Sequence, residues 1–201
     1  MNWNEIASVA VTLFFIMDPL GNVPVFNAIL SKFDSTRRTR IMARELVLAL
    51  LILFLFLFTG NAILGFLGLS QPSLSIAGGV LLFIISLRMI FPRTASHDEI
   101  DGAEDPFLVP LAVPMIAGPS TIAILLLLSS SQPDRMAEWS ISLGLAWLVT
   151  TVLLVASPFL MRVLGTRGAR ALERLMGMIL IILATQMLLN GIRDFVVSLP
   201  A

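Results

Sequence analysis

The 201-residue chain is 57% hydrophobic and only 13% charged, with a formal net charge of zero and a mean hydropathy of +0.95. A soluble domain carries about twice that charged fraction, and zero net charge leaves no basic surface for nucleic acid. Cysteine is absent and histidine occurs once, as His97 in a polar stretch, so disulfides, thiolate catalysis, His/Cys metal sites and a bound cofactor are not expected.

Charge-free runs of 18 or more residues read as membrane-spanning helices. Six are predicted, at about 5–30, 41–64, 74–91, 106–130, 138–161 and 174–195. The first follows Met1-Asn2-Trp3-Asn4-Glu5, which has no basic run, and no small-residue cleavage site comes after it; it is read as a retained span. Halfway along it stands Asp18-Pro19-Leu20-Gly21-Asn22-Val23-Pro24. Ile6 to Asp18 is 12 residues, about 18 Å of helix, which sets Asp18 near the bilayer midplane. Of 13 acidic residues it alone is expected deep within a span, where an aspartate costs about 2.5–3.5 kcal/mol and usually faces a functional cavity. Two prolines with Gly21 and Asn22 between them are expected to unwind about one turn, Pro24 opening a new half-helix.

The second span carries the Leu51–Phe58 run, read as lipid-facing or packing surface, and the third ends near Arg88. Residues 93–105 form an acidic linker with Asp98, Glu99, Asp101, Glu104 and Asp105; their spacing misses that of a calcium loop. The fourth span repeats the first one's interruption as Pro114-Met115-Ile116-Ala117-Gly118-Pro119, again about 18 Å in from Phe107. Pro119 is expected to start its second half-helix, with Ser120 and Thr121 in the first turn. Ser157-Pro158 is expected to kink the fifth span, and Gln186 and Asn190 share a face of the sixth.

Eleven of the 13 basic residues fall in the first, third and fifth loops, against Arg135 and Arg193 on the other side. The positive-inside rule then puts those loops in the cytoplasm and both termini in the periplasm, with Trp3 and Trp139 as anchors at outer span ends. Three spans per half make the second half enter from the opposite side. The fold expected is an all-α membrane protein of six transmembrane helices in two inverted three-helix repeats, helices 1 and 4 broken near the midplane. Repeat one covers about 1–92 and repeat two about 106–201, within a single domain of 1–201. Pro19 and Pro24 align with Pro114 and Pro119 at an offset of 95, and Gly79 with Gly177 at 98, where Arg88 falls opposite Gln186.

Paired interruptions in corresponding positions point to a transporter's substrate site. Half-helix N-termini at Pro24 and Pro119 would converge, offering N–H groups and positive dipole ends to a carboxylate. Asp18, Asn22 and freed carbonyls would hold an ammonium or cation, so a small zwitterion matches both poles. Candidate substrate-binding residues are Asp18, Pro19, Gly21, Asn22, Pro24, Pro114, Gly118, Pro119, Ser120 and Thr121. Asp18 is also the candidate for a coupling proton or Na+. Gln186, Asn190 and Arg88 are candidates for cavity lining, Arg88 alternatively snorkelling to the interface or pairing with Asp18. The expected partners are the solute, its coupling ion and the lipid bilayer; a homo-oligomer is compatible with the reading. Other classes compete less well: a membrane enzyme needs paired acid/base groups, a channel needs rings of like residues or a carbonyl filter, and a regulatory membrane protein needs neither break.

Three segments carry a family resemblance: Met17-Asp18-Pro19-Leu20-Gly21-Asn22-Val23-Pro24-Val25-Phe26, Pro110-Leu111-Ala112-Val113-Pro114-Met115-Ile116-Ala117-Gly118-Pro119, and Arg174-Leu175-Met176-Gly177. With them the chain resembles, over essentially its whole length, the MarC family of six-span bacterial inner-membrane proteins. That resemblance implies inverted three-span repeats, akin in fold to LysE-type exporters, and transport of glycine, alanine and similar neutral amino acids. Export of another small metabolite and a non-transporting regulatory role remain the alternatives.

Overall fold

With no water to satisfy backbone N–H and C=O groups in hydrocarbon, an apolar chain of this composition has to close its hydrogen bonds within helices. The computed structural model describes residues 2–30, 33–91 and 116–198, and every regular element among them is helical. In chain order these are α1 (Trp3–Met17), α2 (Pro19–Leu30), α3 (Ser35–Leu67), α4 (Gln71–Ile90), α5 (Pro119–Ser131), a 3-10 turn (Pro133–Arg135), α6 (Met136–Val155) and α7 (Ser157–Val197). Five stretches are long and apolar enough to cross a membrane: Trp3–Val23, Thr36–Gly60, Gln71–Ile90, Pro133–Val155 and Arg167–Val197. The apolar α5 is shorter and corresponds to the second half of the predicted fourth span. The first half of that span, with Pro114, and the acidic linker with His97 lie outside the described residues.

Local chemistry sets the helix ends. Gly68 closes α3 in the left-handed conformation at φ 63°. Ser70 caps α4 by accepting the Ser73 N–H at 3.3 Å, with Pro72 in the first turn. The predicted kink at Ser157-Pro158 is a helix boundary, α6 ending at Val155 and α7 starting at Ser157. Gly165, at φ 62° and ψ 178°, breaks helical geometry inside α7, so the long sixth helix begins before the predicted residue 174.

The first break differs from its prediction. Only Asp18 leaves helical geometry, at φ 45° and ψ 58°, and α2 begins at Pro19. Pro24 therefore lies inside α2 rather than at its start, and no turn is unwound between the two prolines. The reason is that Pro19 already occupies the helix's first position, where a missing N–H costs nothing. One left-handed residue suffices to redirect the chain.

Packing follows a paired pattern. α1 runs parallel to α6, with the Ser142 hydroxyl donating to the Ile6 carbonyl at 3.1 Å and Thr150 against Met17. α5 packs on α3, where Gly60 faces Ser129 and Leu126. α2 packs on α7, and α5 on α4. The most extensive contact is the antiparallel one between α4 and α7. There Gly79 abuts Ala184 and Leu188, Gly177 abuts Ser86, Met89 and Ile90, and Leu82 and Leu180 are both fully buried. Small residues at such crossings let membrane helices approach closely. The Leu51–Phe58 run serves both predicted purposes: Leu51, Leu55 and Phe58 are exposed while Leu53 and Leu57 are buried. Trp139 is not an interfacial anchor. It is buried, its indole N–H donates to the Gln132 carbonyl at 3.2 Å, and the Arg135 guanidinium lies 4.6 Å from its ring. Arg135 also pairs with Glu5 and Glu138, tying the start of α1 to the start of α6.

Candidate functional site

The α1–α2 junction closes around Asp18. Its backbone N–H reaches back to the Phe14 and Phe15 carbonyls, ending α1. Its carboxylate Oδ1 accepts the Gly21 N–H at 3.1 Å, and its carbonyl accepts the Asn22 N–H at 3.1 Å, opening α2. The Asn22 amide donates to the Met17 carbonyl at 3.1 Å, a group the break would otherwise orphan. Asp18, Gly21 and Asn22 thus form one hydrogen-bonded unit. Aspartate and asparagine tolerate left-handed backbone better than other side chains with a Cβ, which is why this residue type can both bend the chain and cap the next helix.

Gly21 makes room for the acid. A Cβ there would sit 2.1 Å from Asp18 Oδ2 and 2.9 Å from Met89 Cε. Met89 also touches Gly177, so the junction is seated against the α4–α7 crossing. Glu173 lies one turn before Gly177 on α7, the helix on which α2 packs. Gly21→Ala is expected to expel the Asp18 carboxylate from its cap while leaving the helices intact. Any transport by the protein should then fall steeply with little change in far-UV circular dichroism; unchanged transport would mean that the carboxylate position is immaterial.

The second break supplies a similar helix start. Gly118 is extended at φ −71° and ψ 160°, and Pro119 takes the first position of α5, as predicted. Ile116, Ala117, Ser120 and Thr121 are buried, Pro119 is exposed, and α1 contacts α5. Met17 and Ile116 belong to the same apolar core. Clefts open elsewhere, at the end of the bundle where basic residues gather. One of about 430 Å3 lies between α3 and α6, and another of about 400 Å3 lies beside Arg37, Arg40 and Arg44. Neither is lined by Asp18 or Gly118.

Other candidates are not gathered at the break. The Gln186 amide donates to Asn190 Oδ1 at 3.0 Å on the exposed side of α7, whereas Met187 reaches Gly78. Arg88 is exposed on the last turn of α4 and makes no ion pair with Asp18 among the described residues. Asp18 is not the only acid enclosed by the bundle. Glu45 of α3 has 0% exposed surface, with Oε1 on Arg44 at 2.9 Å and Oε2 lacking a partner among the described residues. Its place four residues inside the predicted second span was the available signal, masked by the basic residues before it. No group of three or more His, Cys, Asp or Glu suited to a metal ion occurs among the described residues.

Helices of this length and apolarity, with a span broken around an enclosed aspartate, define a multi-span α-helical integral membrane protein. The chain belongs to the MarC family: the profile described as "MarC family integral membrane protein" matches residues 3–196. It is similar to UPF0056 inner membrane protein YhgN of Escherichia coli (strain K12), 50% identical over 191 residues that cover 94% of this chain and 97% of that one. A UPF0056 membrane protein of Buchnera aphidicola subsp. Baizongia pistaciae is 48% identical over 95% of this chain and 98% of its own length. One from Archaeoglobus fulgidus is 34% identical over 94% and 92% respectively. No solved structure matches the chain. The protein is an integral membrane protein of this family.

Proposed function

We propose that this chain is a secondary transporter of small neutral amino acids, of the glycine and alanine type, working by alternating access in the bacterial inner membrane. The observation that carries the reading is the helix break at Asp18, which puts a carboxylate and the first turn of a half-helix inside an apolar bundle. The start of α5 at Gly118-Pro119, with Ser120 and Thr121 buried in its first turn, is the counterpart. A substrate carboxylate would lie at the half-helix N-termini, now at Pro19 and Pro119. Asn22, Ser120 and Thr121 would add hydrogen bonds. Asp18 would take the substrate ammonium or a coupling proton.

Packing supports two inverted repeats. Exchanging the first three spans for the last three maps α2-on-α6 onto α5-on-α3, and α2-on-α7 onto α5-on-α4. It also maps Gly79 against Ala184 and Leu188 onto Gly177 against Ser86 and Ile90, at the constant offset of 98 that relates Leu82 to Leu180. Rocking of one three-span unit on the other would open the packed breaks. The positive-inside rule orients the basic end to the cytoplasm and both termini to the periplasm; the name of the Escherichia coli relative supports the inner membrane as the membrane concerned.

The test is counterflow of labelled alanine and glycine in proteoliposomes, run against a panel of larger amino acids and organic anions. Counterflow restricted to small neutral amino acids is expected. Correctly folded protein that exchanges none of them overturns the substrate, and protein that exchanges no solute overturns transport.

A further inference from the structure

The cleft between α3 and α6 is built unlike a chance surface groove. Its α3 wall runs from Arg38 to Val47, about 13 Å along the helix, and its α6 wall from Val155 to Trp147, about 12 Å. The two walls run in opposite chain directions, so Arg38 stands at one mouth and Trp147 at the other end. Between them the lining is apolar apart from Thr39 and Thr151, and it includes the buried Met42 and Leu46. The mouth lies at the basic end of the bundle, next to the second cleft with Arg37, Arg40 and Arg44. Arg38 is half-buried, and among the described residues its guanidinium donates to Asn27 Oδ1 at 3.3 Å.

A second, independent feature lies in the wall. Helical serines and threonines in apolar surroundings commonly donate to the carbonyl four residues back. Thr12, Thr59, Ser140, Ser142 and Thr185 all do so here. Thr151, which lines the cleft, does not: its buried Oγ1 has no hydrogen-bond partner among the described residues. A hydroxyl left unpaired in hydrocarbon costs free energy that a polar ligand atom would recover.

We propose that this cleft is a binding site for one anionic glycerophospholipid of the leaflet facing the basic end. The phosphate sits at Arg38, an ester oxygen meets Thr151 Oγ1, and the first part of an acyl chain lies along Leu46 and Trp147. A soluble anion would need only the mouth; a groove running about 12–13 Å along both helices, apolar past its entrance, fits a headgroup with a chain attached. Basic pockets between transmembrane helices on the cytoplasmic side recognise acidic lipid headgroups in this way. The inference does not depend on what the protein transports.

Native mass spectrometry of the purified full chain, equilibrated with equimolar phosphatidylglycerol and phosphatidylcholine, reads the site directly. The wild type should retain one phosphatidylglycerol at roughly fivefold excess over phosphatidylcholine, the selectivity expected of one arginine near an acidic headgroup. Arg38→Gln should erase the preference and Arg38→Lys restore it, while Arg193→Gln at the other end should leave it unchanged. Ala43→Trp, which fills the groove without altering charge, should remove the bound lipid. Thr151→Val, nearly isosteric, should weaken retention even if Ala43→Trp does not fold. Equal retention of both lipids would overturn the proposal, as would wild-type retention by Thr151→Val. Displacement of the lipid by glycerol phosphate at matching concentration would reassign the site to a soluble anion.

Discussion

Asp18→Asn is expected to abolish concentrative uptake of alanine while counterflow persists. Asparagine keeps an oxygen to accept the Gly21 N–H, and it also tolerates the left-handed backbone at φ 45°. The break and the start of α2 therefore survive. What is lost is the carboxylate's ability to take up and release a proton. A transporter using Asp18 for coupling becomes an exchanger, insensitive to an imposed pH gradient. Asp18→Ala is a different experiment. It forfeits the cap, about 1 kcal/mol, and holds a β-carbon residue in left-handed geometry at about 1–2 kcal/mol, so both uptake and counterflow should fall. Accumulation and counterflow measured in the same vesicles separate these cases. Wild-type dependence on the pH gradient in Asp18→Asn would remove this residue from coupling.

Gly177→Leu should be among the most damaging single substitutions in the chain. A Cβ at Gly177 alone would approach Ile90 Cγ1 at 2.9 Å, Met89 Cβ at 3.0 Å and the Ser86 carbonyl at 3.1 Å. Two of these atoms are a backbone oxygen and a β-carbon, which cannot swing aside. Even Gly177→Ala should cost about 1–3 kcal/mol by overpacking, and leucine more, because α4 and α7 would have to separate. Gly79→Ala meets Leu188 Cγ at 2.9 Å and the Ala184 carbonyl at 3.1 Å, and should behave alike. Gly144→Ala is the matched control: nothing lies within 4 Å of its Cβ, so helix propensity should make it neutral or stabilising by about 0.5–1 kcal/mol. Thermal unfolding midpoints in detergent check all four. Equal midpoints for Gly177→Ala and Gly144→Ala would mean that the two helices do not cross so closely.

How far the site was legible depended on whether local chemistry or packing decided each residue. Gly118-Pro119 starts α5 as expected because a proline at the first helical position is a purely local preference. The start of the half-helix after the first break was placed five residues late, since either Pro19 or Pro24 could open a helix by the same rule. The choice fell to Asp18, whose side chain caps from the left-handed position. Arg88 was a reasonable partner for a membrane-embedded acid, yet the face it occupies on α4 turns outward, while Met89 next to it reaches Gly21. Trp139 was assigned to the interface from its span position, but packing against Arg135 buries it.

Composition and the long uninterrupted apolar runs determined that the chain is helical and spans a membrane, because a run of that length in hydrocarbon closes its backbone hydrogen bonds within one helix. Proline and glycine placement determined that spans would break near residues 18 and 118. Only the tertiary structure decided which residues meet: Asp18 with Gly21, Gly177 with Ser86, and Glu45 hidden on the inner stripe of α3. A helix's hydropathy says that it is in the membrane but not how it is rotated there. In a bundle apolar on nearly every face, that rotation is set by close fit between small residues on neighbouring helices.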